Sequence, residues 1–151
     1  MSHGGATVRC MSEQTPEPIE VVGVAKDRVG QPVNDGTAGS GLYSVPLQLS
    51  RSPSSTWARF FVQCWDRPPS FSTMHRPGIA SVSGGMIVLD GTTIDEVEQY
   101  HLGTIKACIQ QANDAEILYV EAERQKRERA EAERKDHQAH VDEVADRLKF
   151  D

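Results

Sequence analysis

From Glu121 to Asp136 the chain is built almost entirely of Glu, Arg, Lys and Ala. Such residues favour helix and supply no apolar side to bury. Pairs such as Glu123 with Arg127 and Glu131 with Lys135 stand in the favourable i,i+4 order, each stabilising a helix by ~0.2–0.5 kcal/mol. The segment therefore predicts a helix without a core, and any packed part of the chain has to lie upstream of it. Apolar residues return at Val141, Val144, Ala145 and Leu148 with helical spacing, while Ala115, Leu118, Tyr119 and Ala122 precede the charged run. No heptad seam joins the two groups, which disfavours a full-length coiled coil. Leu118, Tyr119, Val141, Val144 and Leu148 are the candidate residues for self-association.

The start of this helix is written in Thr93-Ile94-Asp95-Glu96, a capping box in which Thr93 accepts from the Glu96 amide and Glu96 reaches back. Ile94, Val97, His101, Ile105, Cys108 and Ala112, with Leu102 and Ile109, then fall three and four apart on one face, the face expected to pack on a sheet. Asn113 followed by Glu116 offers a second cap, but the apolar stripe carries through, so a continuous helix is the preferred reading. Residues 113–151 form the charged extension.

Upstream, residues 19–112 predict an α+β module. Ile19 to Ala25 is dense in β-branched residues and reads as a first strand. Gly30 to Gly41 is a Gly-rich loop, and its likeness to a phosphate cradle fails because Leu42 and Tyr43, not Lys and Ser, follow the last glycine. Tyr43, Val45, Leu47 and Leu49 alternate with polar residues as a half-buried strand does. Pro46 cannot donate to a ladder, which suggests an edge strand or a bulge. Residues 57–65 are read as a further strand, with Ala58, Phe60, Val62 and Cys64 on one face and Trp57, Arg59, Phe61, Gln63 and Trp65 on the other. Ile79–Val82 and Met86–Leu89 flank Ser83-Gly84-Gly85, a hairpin turn. The sum is a mostly antiparallel β-meander of about five strands packed against the start of the long C-terminal helix. Residues 1–18, rich in Ser, Gly, Thr, Glu and Pro, are expected to be a disordered tail.

A length of 151 residues suits one core with extensions. The formal charge of −6 argues against a protein that is a polyanion binder over its whole surface. Cys10, Cys64 and Cys108 form no Cys-x-x-Cys pair, so they read as reduced thiols rather than a disulfide framework or a zinc site. His137 and His140, with Asp136 and Asp142, have ligand-type side chains but no rigid pocket around them, and no metal or cofactor is implied. No stretch is apolar enough for a membrane span, which by default places the chain in the cytoplasm.

Three functional readings follow. The leading one is a non-catalytic interaction protein that self-associates, with a homodimer as its expected form, or docks a protein partner through its long C-terminal helix. The second is a single-stranded nucleic-acid binder using Trp57, Arg59, Phe61 and Trp65, because aromatic platforms amid arginines stack bases and neutralise phosphates. Against it stands the preferred view that Trp57, Phe61 and Trp65 are core, since two solvent-facing indoles would expose a large apolar patch. The third is a small enzyme built on the loop holding His75 and Arg76, where His75 is the best-placed ionisable group.

Overall fold

The computed structural model of the chain describes residues 15–34, 36, 37 and 40–150. The described residues fall into two units, one spanning Glu17–Ile117 and one that begins at Leu118. Most of the expected tail, and Cys10 with it, lies outside the described residues. At the tail's end, Glu17 is held, because the Arg51 guanidinium donates to its carbonyl at 3.1 Å.

Within Glu17–Ile117 the architecture is α+β. A four-stranded antiparallel sheet is formed by β1 (Val21–Val24), β2 (Tyr43–Leu49), β3 (Ala80–Ser83) and β4 (Met86–Thr92), in the spatial order β1-β2-β4-β3. Helix α1 (Ser55–Asp66) joins β2 to β3. The C-terminal helix, α2, opens with one α-turn at Ile94–Glu96, widens to a π-turn over Val97–His101, and continues unbroken as α-helix over Leu102–Arg147. Its first turns pack on the sheet and α1: Val97, Ile105, Cys108, Ile109 and Ala112 share a core with Val45, Leu47, Leu49, Ile87, Leu89, Trp57, Phe61 and Trp65. Ile94 and Leu102, expected on the buried stripe, are 39% and 44% exposed.

The largest departure from expectation is residues 57–65, which form helix α1 and leave four strands instead of about five. A residue spacing of four satisfies both periods, two full strand repeats and roughly one helical turn. Trp57, Phe61 and Trp65 therefore share a face in either geometry. The strand assignment would also have buried Arg59 and Gln63 beside the indoles, whereas the helix turns both to solvent. Ser54 sets the helix start, its Oγ accepting from the Trp57 amide at 3.1 Å. One turn apart, the Trp57 and Phe61 rings stack 5.5 Å between centroids at 4°.

Of the two readings of Pro46 the edge strand fails, because β2 is interior, while the pairing of β2 is irregular on both sides, with register shifts at Val21/Gly23 and at Tyr43/Ser44. The missing N–H is accommodated because β1 ends opposite it. Ala25 donates to the Pro46 carbonyl at 3.0 Å, and the Ala25 carbonyl turns instead to the Arg28 amide at 2.9 Å, closing the short 3₁₀ turn Lys26–Arg28. The β3–β4 hairpin is as expected: Ser83 pairs with Met86 across Gly84 and Gly85, and Gly84 takes the positive φ of 59° that the two-residue turn requires.

In Leu118–Asp151 the described residues continue α2 to Arg147. Side chains pair within single turns, but Glu123 meets Lys126 and Glu131 meets Arg134, three residues on, instead of the expected Arg127 and Lys135. Both spacings lie on one helix face. Among the described residues no helix is long and apolar enough to cross a membrane.

Candidate functional site

Two polar constellations are built into the Glu17–Ile117 unit, and each ties α2 to elements distant in sequence. The first gathers the loop after α1 against the start of α2. Thr93 caps the helix as the box predicts, its Oγ1 accepting from the Glu96 amide at 3.1 Å, while Tyr43 Oη accepts from the Ile94 amide at 2.9 Å. The Glu96 carboxylate does not close the box. It receives both terminal nitrogens of Arg76, one of them at 3.0 Å, and the buried Thr92 hydroxyl at 2.9 Å. Arg76 also donates to the Gly91 carbonyl at 3.2 Å, and the Trp65 indole donates to the Arg76 carbonyl at 2.9 Å. The Arg76 guanidinium foremost, then the Thr92 hydroxyl, hold the Glu96 carboxyl below the usual carboxylate range against the opposing effect of burial.

Beside this pair, three rings meet. Trp65 lies 4.5 Å from His75 and 5.4 Å from His101, centroid to centroid, with the two imidazoles 6.5 Å apart. His75 donates through Nε2 to the Trp65 carbonyl at 2.7 Å. His101 has no exposed surface, and neither of its ring nitrogens has a hydrogen-bond partner in the protein. His101, placed by its spacing on the apolar stripe, is thus a core histidine without a hydrogen bond. Burial pushes its pKa down, with the Glu96 charge acting in the opposite sense and His75 and Arg76 reinforcing the fall. Among the described residues, every buried side-chain polar atom without a partner belongs to Ser72, His75 or His101. The π-turn that delivers His101 to this place is a device common at functional sites, though it is equally a packing adjustment.

The second constellation centres on Asn113, whose side chain acts as a short stretch of strand. Its Oδ1 accepts from the Ile19 amide at 3.0 Å and from the Trp57 indole at 2.8 Å, while Nδ2 donates to the Ile19 carbonyl at 3.1 Å. One turn on, Glu116, 4% exposed, accepts from Arg51 at 3.0 Å and from Ser54 Oγ at 2.7 Å. The Asn113 and Glu116 pair thus serves not as a helix cap but as a clamp on the chain entering β1.

Of the residues singled out from sequence, Trp65, His75 and Arg76 are brought together, and Trp57 and Phe61 lie in the core behind them, each fully buried. Arg59 is exposed, its guanidinium 5.5 Å over the Phe60 ring. Cys64 and Cys108 are buried, and burial first, then the neighbouring Cys64 thiol, pushes the Cys108 thiol up. No family model, curated protein or solved structure matches the chain. Sequence reasoning missed Glu96, Asn113 and Glu116 as binding partners. Their only signal was polarity on or beside an apolar helical stripe.

In the Leu118–Asp151 unit, Leu118, Tyr119, Val141 and Leu148 are 71%, 42%, 40% and 55% exposed, and Val144 is half-buried. His137 and His140 are exposed, and no three His, Cys, Asp or Glu side chains among the described residues are grouped as metal ligands.

Proposed function

We propose that this chain is an interaction protein without chemistry of its own, which pairs with a second copy through the Leu118–Leu148 segment. The observation that carries this reading is the exposure of Leu118, Tyr119, Val141 and Leu148 on sequence otherwise given over to ion pairs. Val141, Val144 and Leu148 repeat at three and four residues, the spacing of a short helix–helix seam. A seam this short is weak, so the dimer is expected to dissociate on dilution. Support also comes from the other unit, where the Arg76 and Glu96 charges beside the two imidazoles are bonded to one another and His101 is fully buried. The burial of Trp57, Phe61 and Trp65 likewise withdraws the stacking platform on which a single-strand binder would depend.

Sedimentation equilibrium over a hundredfold concentration range tests the proposal. A monomer–dimer equilibrium is expected, shifted to monomer by the double substitution Val141→Asp with Leu148→Asp at unchanged helicity. A strict monomer throughout, or a dimer indifferent to both substitutions, overturns it.

A further inference from the structure

Strand β1 is an outer strand of the sheet, and beside it runs an apolar groove of about 560 Å³ whose two walls are the contiguous residues Pro18–Val24 and one side of α2 from Val97 to Asn113. At 3.3 Å per residue the strand wall is ~23 Å long, and at 1.5 Å per residue the helix wall is ~24 Å. The walls match over about seven extended residues.

The backbone of the strand wall has a sidedness that can be read from its bonds. Glu20 faces β2, its amide donating to Ser50 Oγ and its carbonyl accepting from the Ser50 amide. Ile19 faces the opposite way and gives both its groups to Asn113. By the alternation of an extended chain, Val21 faces the same outer side as Ile19. Its partner across the ladder agrees, because Leu49 sends its amide away from β1 to the Gly85 carbonyl. The Asn113 amide therefore does for Ile19 what an added strand would do, and the edge continues beyond the clamp at Val21. Val22 is 64% exposed and Leu102, on the helix wall, 44%.

We infer that this groove takes an extended segment of a partner polypeptide, added as a fifth strand along β1 in line with Asn113, with every second side chain apolar and seated between β1 and α2. Backbone bonds at a sheet edge supply affinity in this mode, and pockets for alternate side chains supply selectivity. The inference does not rest on pairing through Leu118–Leu148, since every residue it uses lies in Glu17–Ile117.

The test is fluorescence anisotropy with the full chain and four labelled heptapeptides that alternate threonine with valine, isoleucine, leucine or phenylalanine. At least one is expected to bind saturably. The same peptide N-methylated at alternate amides is expected to lose that binding, because strand addition needs those donors. Leu102→Asp, at an exposed position that leaves the core alone, is expected to weaken binding about tenfold or more, as loss of one buried leucyl contact implies. Peptide binding should also slow hydrogen exchange at the Val21 amide. Four silent peptides, undiminished binding of the N-methylated form, or indifference to Leu102→Asp each overturn the inference. So does a dimer that Leu102→Asp dissociates, since the groove would then belong to a second copy. Val141→Asp with Leu148→Asp leaves peptide binding unchanged, which keeps the two proposals separable.

Discussion

Both Glu17–Ile117 and Leu118–Arg147 bind arginine to glutamate, yet the pairs differ in what surrounds them. In the first unit Arg51 meets a Glu116 whose side chain is 6% exposed, and Arg76 meets a Glu96 that is 16% exposed; each carboxylate has a hydroxyl as a further donor. In the second, Arg124 bridges Glu121 and Glu128, which are 40% and 64% exposed. Water competes freely for the carboxylates of the second set and much less for those of the first, while the arginines, 30%, 29% and 26% exposed, are alike. An exposed pair contributes little. A buried one is costly to break, because the surviving partner is left uncompensated. The pairs of the first unit therefore hold specific elements together, Arg51 and Glu116 at the entry to β1, Arg76 and Glu96 at the start of α2, whereas those of the second maintain helix.

This contrast can be broken most forcefully at the core. Trp65→Ala removes a fully buried indole along with its bond to the Arg76 carbonyl, and should cost about 3–5 kcal/mol in urea unfolding. A loss under ~1 kcal/mol would mean that the packing of α1 on α2 is not what holds the unit.

Asn113→Ala comes next, at about 3 kcal/mol, because it strands the Ile19 amide and carbonyl and the Trp57 indole without partners. The expected sign of the loss is specific. Hydrogen exchange should quicken first at Ile19 and along β1, with β3 and β4 following only on global unfolding. Uniform quickening across the sheet would show that Asn113 is an ordinary core residue and not a clamp.

The pH dependence sharpens the comparison further. The His101 imidazole is buried and its pKa lies below the ordinary value of 6.5, so between those limits the unfolded chain binds more protons than the folded one. Stability should therefore fall as pH drops below about 6.5 toward the folded value. Glu96 adds a second loss at lower pH: its depressed pKa gives stability that is present above about 4.5 and fades as pH falls through the folded value. His101→Phe should erase the first step of a Tm–pH profile and leave the second. An identical slope between pH 5 and 6.5 in both proteins would remove His101 as the cause.

The smallest effect is expected in the other unit. Ala130→Gly should weaken helix locally by about 1 kcal/mol and lower the far-ultraviolet helical signal. Both tryptophans lie in Glu17–Ile117, so unfolding followed by their fluorescence should keep its midpoint. A shifted midpoint would show that the two units unfold as one.

Much of this was legible in advance, and the reason is locality. The Thr93 cap, the Gly84-Gly85 hairpin, the alternation of β2 and the coreless charged helix each depend on neighbours within about one turn or one hairpin, where residue type dictates conformation. Helix α1 was misread because Trp57, Phe61 and Trp65 are spaced by four, a number that suits both periods. The deciding residues were Arg59 and Gln63, which a strand would have buried, together with the Ser54 cap. The buried fate of the indoles followed from their size and was readable without knowing the period.

What no local rule could supply is where a polar side chain on an apolar stripe finds its partner. Glu96 has the sequence of a box and spends its charge on Arg76, twenty residues away in the chain. Asn113 has the sequence of a cap and binds Ile19, ninety-four residues away. The sequence by itself determined the long C-terminal helix and the Gly84-Gly85 turn, where backbone preference and local residue type agreed, and that the indoles would be inside. Tertiary structure alone decided what Asn113, Glu116, Glu96 and His101 touch, because a buried donor or acceptor takes whichever partner the packing of distant elements brings within reach.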